Sequence, residues 1–502
     1  NGRPELCCTN ALMEKTTACL KHSKPAWFLS AYLIREPPAK PNGSNQVFLE
    51  EAKVEYIMLY FKPQNTTISY IAFLSGFLCL SPLEVMAAEK LSEGNTAWII
   101  TATALVLFMT MPGLALFYGG LVRSKNVLSV LMQCFAICCV ASIVWFVIGY
   151  SIAFGEGNIW WGGLSKIFLS GVTTESLSGS IPENVFFMFQ MTFAIITPGL
   201  IVGAYVERIK FNAIIFFTAL WIVFVYAPSA HWIWGGGFLS DLGWASSTLK
   251  GFSTMDFAGG LVVHANAAIA ALVIAKVLGS RKGFPNELRP PHNPGLVMIG
   301  AAMLWVGWYG FNAGSALAAD GSAGMAMTTT HISAATACLV WILIEYIKFG
   351  KPSLVGIATG AIAGLATITP GSGFVSPVGA LVYGTLSSII CFYMITVVKN
   401  KWKIDDSLDV FAVHGVGGIL GILLTGIFAD LSLGGSGLET GISIKAAFFG
   451  QLLATIITIV WAGLMSYVLL KITQSLFGLR VTEDEEIEGL DITSHGERGY
   501  DL

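Results

Sequence analysis

Eleven runs of about 20 apolar residues, spread from about residue 97 to residue 472, most constrain what this chain can fold into. A helix needs about 20 apolar residues to cross the hydrocarbon core of a bilayer. The segments between the runs are short and contain no inserted soluble domain. The sequence therefore predicts an all-α polytopic membrane protein with eleven transmembrane helices, at approximately 97–121, 127–154, 184–206, 211–233, 257–277, 293–312, 324–346, 353–370, 375–397, 408–430 and 442–472.

Composition supports a chain that lies in a lipid bilayer. Charged residues make up 12% of the 502 residues, whereas a soluble protein contains about 25%. The formal net charge of −3 points to no nucleic-acid partner. Nine cysteines are present, and five of them fall inside the apolar runs, where cysteine packs as a small hydrophobic residue. No metal spacing or disulfide framework emerges, so no cofactor and no metal is expected.

The basic residues between the runs predict the orientation of the chain. Positive charge is retained on the cytoplasmic side of a membrane. One set of alternate loops holds only Lys166 and Lys250 and is predicted to be external. The first helix then enters from outside, which places the N-terminus outside and the C-terminus inside. The other set holds twelve basic residues and is predicted to be cytoplasmic: Arg123, Lys125, Arg208, Lys210, Arg281, Lys282, Arg289, Lys348, Lys351, Lys399, Lys401 and Lys403.

Two histidines lie inside the apolar runs at matching places. His264 is in the fifth run, in "DFAGGLVVHANAA" (256–268), and His414 is in the tenth, in "DVFAVHGVGGILG" (409–421). Five runs in each half give the halves opposite orientations, which predicts a 5+5 inverted repeat with a substrate path between the repeats. An ionisable side chain at this depth is costly and by default marks a functional site. The alternative is a neutral structural histidine satisfied by a neighbouring helix.

The two ends of the chain differ from the part between them. Residues 1–57 show no sustained periodicity and are an unassigned upstream extension. Residues 58–87 have a short start, an apolar stretch and small residues before Ala88, which is typical of a signal peptide; an uncleaved extra span is the alternative. The membrane domain is assigned to residues 95–472 and a cytoplasmic regulatory tail to residues 473–502. In the tail, Thr482 and Glu485 have capping-box spacing and predict a short helix.

Six stretches of the sequence carry a resemblance to a known family. From about Asn95 to the C-terminus, the chain resembles the Amt/MEP/Rh ammonium transporters, most closely the bacterial Amt type. The stretches are "PGLALFYGGLVRSKNVLS" (112–129), "FQMTFAIITPGLIVGAYVERIKF" (189–211), "HWIWGGG" (231–237), "DFAGGLVVHANAAIAAL" (256–272), "WYGFNAGS" (308–315) and "DDSLDVFAVHGVGGILG" (405–421).

The resemblance implies a fold, a cargo and partners. It implies eleven helices in a 5+5 inverted repeat, assembled as a homotrimer with a pore in each subunit of the cell inner (plasma) membrane. The cargo is ammonium or ammonia, together with methylammonium, and the biological role is nitrogen uptake. The tail of the bacterial members packs beneath the neighbouring subunit and responds to a PII-type signalling protein at the cytoplasmic face.

The resemblance also implies a recruitment site at the outer mouth. Phe193, Trp234 and Ser315 match the family's aromatic site for ammonium. Aromatic faces attract cations, and a hydroxyl accepts a hydrogen bond from the N–H that ammonium has and potassium lacks. Asp256 matches a residue that shapes this site. The alternative for Asp256 is an N-cap carboxylate that satisfies free backbone N–H groups.

Further residues match the family's gate and pore. Phe193 and Phe311 match a stacked pair that closes the pore below the mouth. His264 and His414 match twin histidines that share a hydrogen bond through their ring nitrogens, and Trp308 matches a position beside them. A metal site is the alternative for the histidines, but two ligands are too few for zinc.

Three aspartates precede the tenth run: Asp405, Asp406 and Asp409. Asp406 matches a position in the inner vestibule of the family, which implies a role in exit or in contacts with the tail. The alternative is a set of N-caps in a solvated inner loop.

The sequence thus predicts a transporter and not an enzyme, since no nucleophile–base pair or metal constellation is found. It would recruit ammonium outside, deprotonate it and pass it through a hydrophobic twin-histidine pore to the cytoplasm. A Rhesus-type gas channel is one alternative, and Trp234 and Ser315 argue against it. An ammonium sensor is another, although only about 30 residues follow the last run, which is short for a signalling domain.

Overall fold

The structure is a computed structural model that describes residues 90–287 and 290–501. Within these residues eleven helices are long and apolar enough to cross a membrane, which confirms the predicted number. The upstream extension (1–57) and the predicted signal peptide (58–87) lie outside the described residues. The helices are α1 (Glu93–Leu121), α2 (Ser124–Phe154), α3 (Glu183–Tyr205), α4 (Phe211–Trp234), α5 (Gly260–Leu278), α6 (Pro294–Gly314), α7 (Gly321–Phe349), α8 (Leu354–Gly371), α9 (Pro377–Lys401), α10 (Phe411–Phe428) and α11 (Ile444–Phe477).

The bounds of the helices differ from the predicted bounds mainly where a helix continues past its apolar run. The end of α11 shows the largest difference, because the helix reaches Phe477 and not residue 472. Hydropathy marks only the apolar part of a helix, whereas the backbone hydrogen bonds continue through Lys471 and Gln474. The helix stops at Gly478, whose φ is 65° and whose N–H donates to the carbonyl of Gln474 at 3.0 Å.

Short polar side chains set the starts of many helices. Each accepts a hydrogen bond from a backbone N–H in the first turn, one of the groups that has no partner inside the helix. The capping residues are Ser92 for α1, Asn293 for α6, Asp320 for α7, Ser353 for α8, Ser376 for α9 and Ser443 for α11.

A small antiparallel hairpin, β1 (Leu177–Ser178) with β2 (Ile181–Pro182), precedes α3.

Glycines let α8 and α9 pack closely against α7. A Cβ added to Gly364 of α8 would lie 2.6 Å from the Cβ of Ala337. A Cβ added to Gly384 of α9 would lie 2.4 Å from the carbonyl oxygen of Ser333. Small residues at helix crossings are typical of membrane proteins, because backbones that approach closely gain van der Waals contact that lipid does not supply.

Helices α5 and α10 pack against each other. Each begins with a π-helical segment, Gly260–Ala265 in α5 and Phe411–Gly415 in α10, and each segment contains a histidine. A Cβ added to Gly418 would lie 2.8 Å from the Cβ of His264. π-Helical turns are rare and frequently occur at functional sites. In both halves an aspartate stands eight residues before the histidine, Asp256 in one and Asp406 in the other.

A buried ion-pair network joins four loops at one end of the helices, which we name the basic face. Arg281, after α5, contacts Asp405 at 2.9 Å and Glu207 at 3.3 Å. Arg123, after α1, contacts Glu207 at 3.0 Å. Burial alone would raise the pKa of Glu207, but the two guanidinium groups outweigh it and lower that pKa. The charge pattern of the loops predicts that this face is cytoplasmic.

The tail folds against the basic face of its own chain and forms α12 (Glu483–Glu488) and α13 (Leu490–His495). The predicted helix start is confirmed, because the Thr482 hydroxyl accepts from the Glu485 N–H and the Glu485 carboxylate accepts from the Thr482 N–H. The backbone of Lys210 donates to the carbonyl of Leu479 at 2.8 Å. The contact of the tail with a neighbouring subunit stays a prediction.

Helices α2 and α13 cap each other. The Asp491 carboxylate accepts a hydrogen bond of 2.8 Å from the backbone N–H of Ser129 in the first turns of α2. The side-chain carbonyl of Asn126, in the first turn of α2, accepts one of 2.8 Å from the backbone N–H of Leu490 at the start of α13. A side chain of α13 therefore accepts from a backbone N–H at the start of α2, and a side chain of α2 accepts from one at the start of α13. Neither N–H has an acceptor within its own helix.

Candidate functional site

A cavity of about 350 Å³ opens at the end of the helices opposite the basic face, and we name it the outer cavity. All four residues predicted for recruitment line it: Phe193, Trp234, Asp256 and Ser315. They come from the middle of α3, the end of α4, the segment before α5 and the end of α6. Four separate parts of the chain are thus brought together at one place. Gln190, which the sequence analysis did not consider, also lines this cavity.

Hydrogen bonds fix Trp234 and Ser315 in the outer cavity. The indole Nε1 of Trp234 donates to the backbone carbonyl of Asp256 at 2.8 Å, so the orientation of its ring is set. The hydroxyl of Ser315 donates to the backbone carbonyl of Phe311 at 2.8 Å. A hydroxyl that donates its one hydrogen still has oxygen lone pairs with which to accept. The cavity therefore offers a ring and a hydroxyl acceptor to a ligand.

Phe193 and Phe311 close the floor of the outer cavity as a stacked pair. Their ring centres lie 4.3 Å apart, with planes inclined by 19°. Both side chains are buried. Phe193 also packs edge-on against Trp234, with ring centres 5.8 Å apart. The pair predicted to act as a gate is therefore in contact, and the rings leave no open passage between them.

Asp256 shapes the start of α5 and does not offer an ion-pairing group to the cavity. Its two carboxylate oxygens accept hydrogen bonds of 2.5–3.1 Å from the backbone N–H groups of residues 259–262. Burial raises the pKa of this carboxyl, and the four backbone donors oppose that rise. The contacts of Asp256 are therefore those of an N-cap residue. They also fix the position of its backbone carbonyl, which accepts the hydrogen bond of the Trp234 indole.

His264 and His414 face each other below the gate. Their ring centres are 5.3 Å apart with planes inclined by 22°, and both are buried. The resemblance implied a hydrogen bond between the rings, and the structure differs on this point. Both ring nitrogens of His264 and Nδ1 of His414 have no hydrogen-bonding partner among the described residues. A ring–ring hydrogen bond needs an N–H aimed at a lone pair within about 3.2 Å, and the two rings do not meet this requirement.

Trp308 packs against His264 and is held by a residue that the sequence analysis did not consider. The two rings are nearly parallel, with planes inclined by 18° and centres 5.6 Å apart. The Trp308 Nε1 donates to the Thr369 hydroxyl at 2.8 Å, and that hydroxyl donates to the carbonyl of Leu365 at 2.8 Å. Thr369 therefore fixes the indole plane beside the histidine.

A second cavity, of about 510 Å³, opens at the basic face, and we name it the inner cavity. His414 reaches its deep end. The tail residues Glu486 and Ile487 line its rim, together with Lys399 and Asp409. The tail and His414 therefore line the same cavity.

Asp406 lies behind the wall of the inner cavity and not on it. It is fully buried, and its Oδ2 accepts the backbone N–H of Phe411 at 2.7 Å. Burial, with the charge of Asp409 added, raises its pKa to about 7. Asp409 is the aspartate that lines the cavity, where it pairs with Lys399 at 2.7 Å.

The interpretation of this segment as a solvated loop is wrong for two of its three aspartates. Asp405 is 1% and Asp406 0% exposed. The reason for Asp405 is its bidentate pairing with Arg281, whose Nε and Nη2 donate to it at 2.9 Å each. Asp406 is buried because it caps α10.

Comparison with known proteins decides the family. Residues 97–500 match the sequence profile of the Ammonium Transporter Family. The chain belongs to this family. Ammonium transport by a multi-pass membrane protein follows from that membership and from the eleven apolar helices.

Relatives of the transporter cover most of its length. It is 46% identical over 440 residues to an ammonium transporter of Aquifex aeolicus, covering 86% of this chain and 99% of the relative. It is 43% identical over 416 residues to an ammonium transporter of Bacillus subtilis, covering 81% and 98%. Among solved structures, Mep2 of Candida albicans superimposes with a TM-score of 0.72 at 33% identity, covering 79% of this chain and 88% of that one.

Proposed function

We propose that the transporter recruits ammonium in the outer cavity, where the ion releases a proton to solvent water before the phenylalanine pair, and passes ammonia along the histidines. One observation carries this proposal: a continuous line of rings connects the outer cavity to the inner one. It runs through Trp234, Phe193, Phe311, His264 and His414 with neighbouring centres 4.3–6.2 Å apart. The two ends of the line open into the two cavities.

Recruitment uses the chemistry that the outer cavity presents. A cation over the face of an indole or phenyl ring gains about 0.5–2 kcal/mol, depending on its desolvation. The Ser315 oxygen retains lone pairs for an N–H donor, because its own hydrogen is used by the Phe311 carbonyl. Ammonium supplies N–H donors and potassium does not. The site therefore favours ammonium over an ion of the same charge and similar size.

The gate then favours a neutral species. Phe193 and Phe311 are 1% and 0% exposed and offer no hydrogen-bonding atom to a permeant ion. An ion that enters an apolar passage loses its hydration without compensation. Ammonium escapes most of this cost when it gives up its proton to water on the outer side of the pair and crosses as ammonia.

The histidines provide the polar contacts below the gate. Three of their four ring nitrogens have no partner among the described residues, although both rings are buried. Buried polar atoms are nearly always satisfied, and exceptions in native structures call for an explanation. A neutral imidazole offers one donor and one acceptor, so each ring can hold ammonia by its lone pair or by its N–H. Passage of the cargo explains why the nitrogens are left free.

We propose the setting of this pore by analogy with the family. The proposed assembly is a homotrimer in the plasma membrane, with the basic face in the cytoplasm and a PII-type protein binding there. Glu486 supports a regulatory role for the tail, because it accepts from the Lys282 backbone and pairs with Arg480 at the rim of the inner cavity. Methylammonium is the proposed second cargo, since it keeps three N–H donors.

Flux into liposomes tests the proposal. Purified transporter would be reconstituted and given an inward step of ammonium, methylammonium or potassium, while the current and the internal pH are recorded. We expect saturable flux for ammonium and methylammonium and none for potassium. Neutral ammonia would raise the internal pH without current, whereas net charge transport would give current. Potassium flux equal to that of ammonium, or no flux above that of empty liposomes, would contradict the proposal.

A further inference from the structure

Gln190 lies in the outer cavity, one helical turn before the gate residue Phe193. Residues three apart on a helix share a face, so both side chains of α3 point to the same side. Gln190 lines the cavity together with Trp234 and Ser315. Its side chain is 8% exposed, so it is a buried group and not a solvated rim residue.

The amide of Gln190 is not used by the fold. Its Oε1 is buried without a hydrogen-bonding partner among the described residues. An unpaired buried carbonyl is costly, because it gives up water and receives nothing in exchange. Two explanations remain for such a group in a cavity wall: a packing role for its stem, or a ligand that supplies the missing donor.

We propose that Gln190 Oε1 accepts a hydrogen bond from ammonium in the outer cavity and is a further ligand-binding residue of the recruitment site. This inference rests on the proposed function, since it assumes that ammonium enters the cavity. Ammonium has four N–H donors and no acceptor, so the amide must turn about its last side-chain bond to bring Oε1, which is buried in the structure, toward the ion.

The other polar groups of the cavity explain why a carbonyl is needed. Both oxygens of Asp256 are occupied by four backbone N–H groups, so this carboxylate is not free to receive the cation. The Trp234 Nε1 is a donor and is already paired. The hydroxyls of Ser315 and Thr254 donate to backbone carbonyls and keep lone pairs with which to accept, and Gln190 adds a carbonyl acceptor to them. A neutral acceptor binds the cation without a full counter-charge, which keeps binding weak enough for release toward the gate.

The test compares two glutamines that are buried in the same chain. Gln190→Met keeps the length of the side chain and removes the acceptor, and Gln190→Leu repeats this removal with a second side chain. Gln190→Glu keeps an acceptor oxygen at the same place. Gln133→Met is the control, because Gln133 is also buried with an unpartnered Oε1 but lies in α2, outside both described cavities.

Ammonium flux into liposomes is measured over a range of concentrations for each protein. Hydrogen bonds to charged groups contribute enough for a roughly tenfold change in affinity. We expect the KM of Gln190→Met and Gln190→Leu to rise about tenfold with Vmax kept within about twofold. Gln133→Met should keep a KM within about threefold of wild type, whereas Gln190→Glu, which adds a negative charge beside the cation, should have a KM no higher than that of wild type.

Several results would overturn the inference. They are an unchanged KM in both Gln190→Met and Gln190→Leu, a KM in Gln190→Glu as high as theirs, or an equal rise in Gln133→Met. A fall in Vmax at constant KM would assign Gln190 a packing role and would also overturn it. Absence of flux in the wild type would overturn the proposed function itself. This outcome is distinguishable from the others, because they all require flux in the wild type.

Discussion

The indole of Trp308 and the hydroxyl of Thr369 are joined by a hydrogen bond of 2.8 Å. Thr369 begins the short 3₁₀ turn that closes α8, whereas Trp308 stands in α6 with its ring 5.6 Å from that of His264. One hydroxyl therefore links the end of one helix to the ring that packs on the pore histidine. The relationship has a direct functional consequence.

Replacing Thr369 with Val should impair transport below the gate. The change keeps the shape of the side chain but removes the acceptor, and an unpaired buried donor costs about 1–3 kcal/mol. We expect the Trp308 ring to move from its parallel position and ammonium Vmax to fall roughly tenfold, in proportion to that energy. KM should stay constant because the outer cavity is untouched. Concentration-dependent flux in liposomes measures both quantities.

Thr367 provides a matched control for this change. It is fully buried two residues earlier, and its hydroxyl has no partner in the part of the chain that the structure describes. Thr367→Val should leave flux unchanged, and Thr369→Ser should restore it. Equal losses in Thr367→Val and Thr369→Val would show that any change in this turn harms the protein, whatever happens to the indole.

Replacing His264 and His414 together with Leu should abolish most ammonium flux. Leu keeps the apolar packing but removes the ring nitrogens, which are the polar contacts between the gate and the inner cavity. Potassium flux should not appear, because the passage stays apolar and the ion loses its hydration there. Ammonium and potassium uptake in liposomes, with size-exclusion chromatography as the check on assembly, make the measurement. Full ammonium transport by the double variant would reduce the histidines to structural residues.

Stability should fall as the pH rises through the range in which Asp406 titrates. Burial and the charge of Asp409 raise its pKa to about 7 in the folded protein, with Lys399 and the Phe411 N–H opposing the rise. An unfolded aspartate titrates near 3.9. Between about pH 4 and pH 7 the folded protein therefore binds more protons at this site than the unfolded one, and stability decreases with pH. Its contribution is fully present below about pH 4 and lost above about pH 7.

Asp406→Asn tests this dependence. The amide resembles the protonated acid and still accepts from the Phe411 N–H. The melting temperature in detergent should fall less between pH 5 and pH 8 for the variant than for wild type. Parallel curves for the two proteins would assign the pH dependence to other groups.

Removal of residues 478–502 should reduce or deregulate uptake without preventing trimer assembly. The truncation removes the tail residues at the rim of the inner cavity and the Asp491 cap of α2. A narrower change, Asp491→Ala, removes the cap alone and should destabilise the protein by about 1 kcal/mol. Flux, PII binding and native mass are measured for both. Unchanged flux and PII binding after truncation would make the tail a passive end.

Hydropathy and the long motifs predicted the eleven helices and the residues that meet in the outer cavity. Apolar length fixes how many times a chain crosses a bilayer, because the membrane leaves helices few alternatives. The stacked Phe193–Phe311 pair and the facing histidines followed from the resemblance. These features depend on residue type at a spacing along the chain, which a sequence displays.

Contacts between residues that are distant in the chain could not be predicted from hydropathy or from the motifs. The Thr369 hydroxyl and the Trp308 indole are 61 positions apart, and nothing in either motif indicates that they pair. Burial of Asp406 behind Asp409 depends on how the loop folds, and both positions look equally polar in the sequence. The absent hydrogen bond between the histidine rings depends on side-chain orientation at a helix crossing, which spacing does not determine.

The mutual caps of α2 and α13 join two distant parts of the polypeptide, since Ser129 and Asp491 are 362 positions apart. A ribosome makes the chain from its N-terminus, so α2 enters the membrane long before residue 491 exists. Until residue 491 has been made, the first turns of the second membrane helix lack the acceptor that Asp491 supplies. Synthesis of Asp491 thus completes the cap of a helix that begins more than 360 positions earlier, and a chain that stops before Asp491 leaves that helix start uncapped.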